Sequence, residues 1–245
     1  HYVAIAMPVY NEADGLKETL SDLSTIPELL NIQICLFIQD DCSNDGSVEL
    51  FHEVQGSVFQ IDAESNKRRL GHGPTVHRAY QRALESNPDC IVQLDGDGQF
   101  KVDDVIKIIV SLISGSEMAI GVRNNRTAPK HRRFASSLLR LIGLLVFNVN
   151  SKDLNSPIRG FRAESLSRIF TLIHQTSLIP NVYLSILGSR YFKRIEQFDV
   201  EDRTRRGSYT VGSAWRKRKG LPLPNFKFLI FSIRALIEIF SIIRK

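Results

Sequence analysis

Apolar residues in the first half of the chain form short runs that alternate with segments of helical periodicity. Runs rich in apolar and β-branched residues predict strands at residues 3–8, 32–38, 58–61, 90–94 and 118–122. Apolar residues spaced three or four apart predict helices at residues 14–23, 47–54, 74–84 and 102–113. Because this alternation makes βαβ units, we predict an α/β fold with a mainly parallel sheet and helices on both faces.

The second half has a less regular pattern. Residues 134–149 are apolar on most faces, and residues 191–200 predict a further strand. A basic run at residues 216–219 begins a stretch typical of a linker, and residues 226–243 predict an apolar helix that carries three charges. We predict two units, a domain and a basic linker with an amphipathic tail helix, at residues 1–210 and 211–245.

The charge is divided unevenly along the chain. Residues 1–119 contain 8 Lys and Arg against 19 Asp and Glu, whereas residues 120–245 contain 24 against 7, so the net charges are −11 and +17. An acidic half can hold a divalent metal, and a basic half can hold phosphates or an anionic membrane, although it can also be ordinary solvated surface. We do not expect nucleic acid as a partner, because the basic residues lack a helix-turn-helix or base-stacking pattern.

Ligands of parallel sheets bind beyond the carboxyl ends of the strands, so the residues that follow each strand are candidates for a site. Pro8 ends the first strand, Tyr10 offers a flat face for a base or sugar, and Glu12 can accept hydrogen bonds. The alternative is a turn that leads to a helix N-cap. After the second strand, Asp40 and Asp41 exceed what capping the next helix requires, and a ligand with amide or hydroxyl donors would satisfy them.

The strand at residues 90–94 is followed by Asp95 and Asp97, two residues apart. Carboxylates at this spacing on an extended segment point the same way, because the side-chain period of a strand is two. They form a partial ligand shell for Mg²⁺ or Mn²⁺, which substrate phosphates and water can complete. The alternative is a hairpin turn, for which Asp-Gly is a strong signal.

These three clusters, in this order, resemble the family-2 glycosyltransferases of the GT-A (Rossmann-like) fold. Residues 69–74 resemble the Gly-rich segment of these enzymes. Residues 121–123, Arg133 and residues 159–162 resemble the dolichol-phosphate or polyprenyl-phosphate sugar transferase branch. The resemblance covers about residues 2–210 and implies an inverting, metal-dependent enzyme that takes its sugar from a nucleoside diphosphate, with either UDP or GDP as the nucleotide.

The resemblance also implies roles for individual residues. It places the nucleotide sugar among Pro8, Tyr10, Glu12, Asp40, Asp41, Gly71, Gly73, Asp95 and Arg123. It places the metal on Asp95, Asp97 and Gln99. It places the diphosphate or an acceptor phosphate against Arg123 and Arg133, and the acceptor phosphate also against Arg162, Arg205 and Ser208. Asp95, Asp97 and Arg133 would then carry the catalysis.

The sequence leaves the acceptor open between two classes. A lipid phosphate such as polyprenyl phosphate is already anionic and needs no general base, and it is the acceptor that the resemblance favours. A carbohydrate hydroxyl, as in surface polysaccharide synthesis, needs a base. The candidates for that base are Asp153, Glu201 and Asp202, and for each the favoured alternative is a surface carboxylate.

Two features bear on where the protein works. Residues 134–149 and 226–243 combine basic with aliphatic positions and can lie at a membrane interface, or pack against the domain or a second copy of the chain. Three cysteines form no paired framework, which favours a reducing compartment. We therefore expect a peripheral protein at the cytoplasmic face of a membrane. Since the chain begins with His1 and no signal peptide, we expect it to be processed or trimmed.

Overall fold

The structure is a computed structural model. It describes residues 1–54, 60–123, 130–201, 203, 234–235 and 237–239, and at residues 52–54, 130–136 and 138 it describes the backbone alone. Its strands are β1 (Tyr2–Val9), β2 (Gln33–Asp40), β3 (Gln60–Ser65), β4 (Cys90–Gln93), β5 (Met118–Arg123), β6 (Arg159–Arg162) and β7 (Ile195–Val200). Its helices are α1 (Ala13–Leu23), α2 (Ile26–Leu30), α3 (Ser47–Val54), α4 (His72–Glu85), α5 (Val102–Ile113), α6 (Lys130–Phe147), α7 (Ala163–Phe170) and α8 (Pro180–Tyr191).

The strands of the described residues form one sheet in the order β3-β2-β1-β4-β6-β5-β7. All neighbours pair in parallel except β6, which runs antiparallel to both β4 and β5. The mainly parallel α/β sheet predicted from the sequence is therefore confirmed. Its central strands read as nearly continuous apolar runs because helices cover both faces.

Strand β1 shows how the two faces of the sheet are packed. Val3, Ile5 and Met7 are fully buried in a core cluster on the side of α1 and α5. Ala4 and Ala6 point the other way, into a cluster shared with α4, α7 and α8. Small side chains on that face let α4 approach the sheet closely. The alternation follows from the side-chain period of two.

The order of the strands places a crevice at one edge of the sheet. The chain passes outward from β1 through β2 to β3 and then returns to β4 on the other side of β1. Loops that leave neighbouring strands toward opposite faces open a crevice at such a switch point. The carboxyl ends of β1, β2, β4, β5 and β7 all lie at this edge, which we call the crevice edge.

The elements differ from the prediction mainly in the second half. Strands β3 and β7 are present, but β7 begins at Ile195, because residues up to Tyr191 belong to α8. Strand β6 was not predicted, since it is four residues long and contains two arginines and a glycine. Its neighbouring helices α7 and α8, and the short α2, were also missed.

Part of the predicted tail helix lies in the described residues and packs on the domain. Ile239 is 3% exposed and belongs to the α4-side core cluster, whereas Ile237 is 65% exposed. The predicted basic linker lies outside the described residues, so the domain boundary at residue 210 stays a prediction. Across the described part of the chain, no helix has both the length and the apolar character that a membrane crossing requires.

Candidate active site

The loops that follow β1 and β2 are joined by hydrogen bonds. The backbone nitrogen of Glu12 donates to Ser47 Oγ at 3.1 Å, and that of Ala13 donates to Asp45 Oδ2 at 3.0 Å. These bonds satisfy N–H groups that the first turn of α1 leaves without helical partners. The first two sequence clusters therefore form one unit at the crevice edge.

Asp40 ends β2 and is 1% exposed. Both of its carboxylate oxygens lie 3.2 Å from the backbone nitrogen of Ser43, and Oδ1 also accepts the Ser43 hydroxyl. The carboxylate is therefore oriented by its own loop. It lies beside the end of β1, because Asp40 is in register with Val9.

Asp41 holds the glycine-rich loop in place. Its Oδ1 accepts from the backbone nitrogen of Leu70 at 2.7 Å and from Asn66 Nδ2 at 3.0 Å, and its Oδ2 accepts from the backbone nitrogen of Gly71 at 2.9 Å. The chain itself therefore supplies donors of the kind that the sequence analysis expected from a ligand, and the role of Asp41 toward a nucleotide stays a prediction. The sequence gives little sign of this, since the donors lie 25 to 30 residues away.

Gly71 and Gly73 are each required to be glycine, for different structural reasons. Gly71 has φ +93°, a conformation that side chains with a Cβ rarely adopt, and it immediately precedes α4. At Gly73 a Cβ would lie 2.2 Å from the carbonyl oxygen of Ser177. Gly73 thus marks a close contact with the loop before α8, and its role toward a nucleotide stays a prediction.

Tyr10 is the flat side chain predicted to meet a base or sugar. The guanidinium carbon of Arg69 lies 3.9 Å from the centroid of its ring, a cation–π contact. One face of the ring is therefore covered by the glycine-rich loop. Arg69 Nε is also 3.9 Å from Asp41 Oδ2, so the loop is attached to both neighbouring clusters.

The predicted metal-binding pair follows β4 at the crevice edge. Asp95 is 8% and Asp97 is 1% exposed. Asp97 Oδ1 accepts from the backbone nitrogen of Gln99 at 3.2 Å, which closes a turn. The turn is not part of a hairpin, because helix α5 follows it and not a second strand. Between the two carboxylates, a Cβ on Gly96 would lie 3.0 Å from Glu12 Oε2. The close approach at Gly96 brings the clusters after β1 and β4 together.

Gln99 links this turn to the chain beyond β7. Its backbone oxygen accepts from the nitrogen of Arg203 at 3.1 Å, and its side-chain Nε2 donates to the carbonyl oxygen of Arg203 at 3.0 Å. Lys101 also pairs with Glu201, a candidate base. The hydrogen bond and charge of Lys101 hold the pKa of Glu201 below its usual value, so Glu201 is a poor proton acceptor.

Arg123 and Asp153 were predicted to bind a diphosphate and to act as a base, respectively. In the structure Arg123 Nε lies 2.7 Å from Asp153 Oδ2, and Nη2 lies 3.1 Å from Oδ1. Their side chains are 12% and 8% exposed. Both oxygens of Asp153 accept hydrogen bonds from Arg123, so the carboxylate is engaged within the protein.

Arg162 does not lie with the other predicted site residues. It is in register with Cys90, the first residue of β4, because β6 runs antiparallel to β4. It therefore lies at the edge opposite to Asp95, where it lines a separate cavity together with Asn87 and Arg168. The prediction that it contacts an acceptor phosphate at the same site was wrong.

The remaining predicted residues cannot be placed as side chains. Arg133 lies on α6, where only the backbone is described. Arg205, Ser208 and Asp202 lie outside the described residues. Their roles stay predictions.

The donor set at the crevice edge fits a divalent cation that is shared with a substrate. Asp95 and Asp97 supply hard oxygen ligands two residues apart, as Mg²⁺ and Mn²⁺ prefer. Among the described residues no group of three or more His, Cys, Asp or Glu could hold a metal alone. The residues therefore fit an ion that takes its other ligands from a diphosphate and water, and not an all-protein cage.

The comparison with protein families decides the class of the molecule. Residues 4–170 match the family described as Glycosyl transferase family 2. The chain belongs to glycosyl transferase family 2. This confirms the family and the enzyme class that the three clusters predicted.

Curated relatives of this family-2 chain carry the name undecaprenyl-phosphate 4-deoxy-4-formamido-L-arabinose transferase. The protein of Pseudomonas fluorescens (strain Pf0-1) is 26% identical over 181 residues, which are 74% of this chain and 52% of the relative. That of Aeromonas hydrophila is 23% identical over 201 residues, 81% of this chain and 59% of the relative. The chain thus spans little more than half the length of these relatives.

Solved structures resemble this family-2 domain in fold. The glucosyl-3-phosphoglycerate synthase of Mycobacterium tuberculosis in complex with Mn²⁺, UDP-Glc and phosphoglyceric acid has a TM-score of 0.65 at 15% identity and covers 98% of this chain and 78% of its own. S. aureus TarS 1-349 in complex with UDP-GlcNAc has a TM-score of 0.58 at 15% identity, with coverages of 97% and 66%. These likenesses confirm the predicted GT-A fold.

The sequence analysis did not identify several buried polar residues that support the loops of the site. Asn66 is 4% exposed and donates to Asp41 Oδ1 while it accepts from Gln39 Nε2 at 3.1 Å. Gln93 and Arg159 are fully buried on neighbouring strands. Gln93 could have been noticed in the sequence, because it is a polar residue within an otherwise apolar strand.

Proposed function

We propose that this family-2 protein transfers a sugar from a UDP- or GDP-sugar to a polyprenyl phosphate at a membrane surface. The observation that carries the proposal is the arrangement of Asp95 and Asp97 at the switch point of the sheet, in contact with the Glu12 loop through Gly96. That edge is where α/β folds bind nucleotides. Named relatives act on undecaprenyl phosphate, which supports this acceptor class.

The proposed donor site divides its work among residues of the first half. Asp95 and Asp97 hold Mg²⁺ or Mn²⁺, and Gln99 is a further candidate ligand through its side-chain oxygen. Asp40 accepts from the nucleobase, and the loop held by Asp41 borders the nucleotide. When bound, the metal neutralises the charge that develops on the leaving diphosphate.

The contacts of Asp153 and Glu201, the two candidate bases that the structure describes, favour the proposed acceptor. Asp153 is bound to Arg123 through both oxygens, and Glu201 is paired with Lys101. A carbohydrate hydroxyl would need a base, whereas a lipid phosphate attacks through an oxygen that already carries charge. The basic half of the chain also suits a phosphate acceptor on an anionic surface.

A transfer assay tests the proposal. The chain is incubated with radiolabelled UDP- and GDP-sugars and Mn²⁺, together with either a short-chain polyprenyl phosphate, the matching polyprenol or a soluble oligosaccharide. We expect label in the organic phase with the phosphate only, and loss of at least about 100-fold in Asp97→Asn. Label on the oligosaccharide alone would instead support the polysaccharide alternative. Undiminished transfer in excess chelator would refute the role of the metal.

A further inference from the structure

Gln93 is a polar residue at the end of an otherwise apolar strand. Strand β4 is buried along its whole length, and Gln93 is 0% exposed. Its side chain lies on the same face as Ile91, toward α4, because side chains alternate along a strand. An amide buried in this way costs free energy unless it is hydrogen-bonded.

The amide of Gln93 joins the core to the carboxylate turn. The hydroxyl of Tyr80 on α4, also fully buried, donates to Gln93 Oε1 at 3.3 Å. Gln93 Nε2 in turn donates to Asp95 Oδ1 at 3.4 Å. The reverse orientation would place an amide oxygen against the carboxylate, so the chemistry of the three groups sets the direction of this chain of bonds.

Two further features keep the direction fixed. Burial raises the pKa of Tyr80, so its hydroxyl keeps the proton that it donates. Arg159 is in register with Gln93 on β6 and points to the same face. Burial lowers the pKa of Arg159 to about 10, which leaves it charged at neutral pH. A cation on this side of Gln93 disfavours turning the amide N–H groups toward it.

Arg159 is itself held rigidly and cannot move to replace these contacts. Its guanidinium donates to the carbonyl oxygens of Ser156 at 2.7 Å, Asn181 at 2.7 Å and Leu154 at 3.1 Å, and to Ser185 Oγ at 2.9 Å. Every one of these acceptors is neutral. The positive charge is therefore retained on the α4 face of the sheet, beneath the carboxylate turn.

We propose that Gln93 is a positioning residue for Asp95: it fixes the rotation of the carboxylate, with Tyr80 fixing the amide in turn. The inference rests on the proposed function, because it assumes that Asp95 binds the metal. Groups that orient a metal ligand typically change metal affinity by about 10- to 100-fold when they are removed.

Metal binding to the intact chain tests this role. Free Mn²⁺ is measured by electron paramagnetic resonance in the presence of UDP and, separately, of GDP. We expect Gln93→Leu to weaken Mn²⁺ binding by about tenfold and Tyr80→Phe by a smaller factor. In the transfer assay, the half-saturating Mn²⁺ concentration should rise more than kcat falls, which a loss of stability alone would not produce.

Two further variants separate positioning from folding. In Tyr80→Phe/Gln93→Leu both partners of the buried hydrogen bond become apolar, so the fold should be retained while Mn²⁺ binding stays weak. Ser111→Ala is the matched control, because it removes a buried hydroxyl bound to Glu196 near the opposite edge of the sheet. Normal Mn²⁺ affinity in folded Gln93→Leu would overturn the inference and leave the proposed function standing. If the unaltered chain bound no Mn²⁺ with either nucleotide, the metal role and this inference would both fail.

Discussion

Arg123 and Asp153 form a two-bonded ion pair at the end of β5, with both side chains nearly buried. Removing one partner of such a pair leaves an unpaired charge inside the protein. We expect Asp153→Asn to lower the free energy of unfolding by about 3 kcal/mol, measured by urea denaturation. The double variant Arg123→Met/Asp153→Leu should recover most of that loss. A change below about 0.5 kcal/mol in the single variant would show that the pair is a surface contact.

Asp41 is expected to act through the loop that it holds. In Asp41→Asn one oxygen becomes an amide N–H group, which cannot accept from the backbone nitrogens of Leu70 and Gly71 together. We expect amide hydrogen exchange at these two residues to accelerate by about tenfold, with exchange in β1 unchanged. Equal protection in the two proteins would contradict a role for Asp41 in holding the loop.

Glu117 makes stability depend on pH. Burial raises its pKa, but hydrogen bonds from the nitrogens of Lys193 and Arg194 and from the Arg168 side chain outweigh that effect, so the pKa lies below the ordinary value of 4.5. A carboxylate with a lowered folded-state pKa stabilises the fold above its unfolded-state pKa and loses that contribution as the pH falls through the folded-state value.

The variant Glu117→Gln isolates this contribution. At pH 7 it should unfold more easily than the unaltered chain by about 1 kcal/mol. The gap should narrow as the pH is lowered below about 4. Thermal unfolding of both proteins between pH 7 and pH 3 measures the gap. A difference that does not vary with pH would indicate that packing, and not charge, is responsible.

Glu238 connects the tail helix to the segment that packs against Gly73 of the glycine-rich loop. Its carboxylate accepts from the Ser177 hydroxyl and from the backbone nitrogen of Leu178 at 3.0 Å, and the Ser177 carbonyl abuts Gly73. We expect Glu238→Ala to lower the free energy of unfolding by about 1–2 kcal/mol and to raise the KM for the sugar nucleotide. Ile237→Ala, at an exposed position in the same turn, is the control. Equal effects of the two substitutions would contradict a specific role for Glu238.

The sequence predicted those features that depend on residues close together along the chain. Alternating apolar runs predicted the parallel strands, and the shared edge of such strands predicted that Asp40, Asp95 and Asp97 would follow them to one side. Arg162 was misplaced because the direction of β6 depends on pairing with β4, about 70 residues earlier in the chain. The hydrogen-bond partners of Asp41 and Asp153 could not be predicted either, because the partners lie about 30 residues away in the sequence and only the folded chain brings them together.

The reversed direction of β6 has a practical consequence for modifying the protein. The chain reaches this strand at the crevice edge and leaves it at the rear, where α7 begins. Residues inserted ahead of Arg159 would therefore alter the crevice edge. A fluorophore or affinity tag attached near Glu164, which is exposed, would instead lie about five strand residues from the carboxylates, a distance of roughly 16 Å. That surface is a suitable attachment point for immobilising the enzyme, because the crevice edge would then face away from the support.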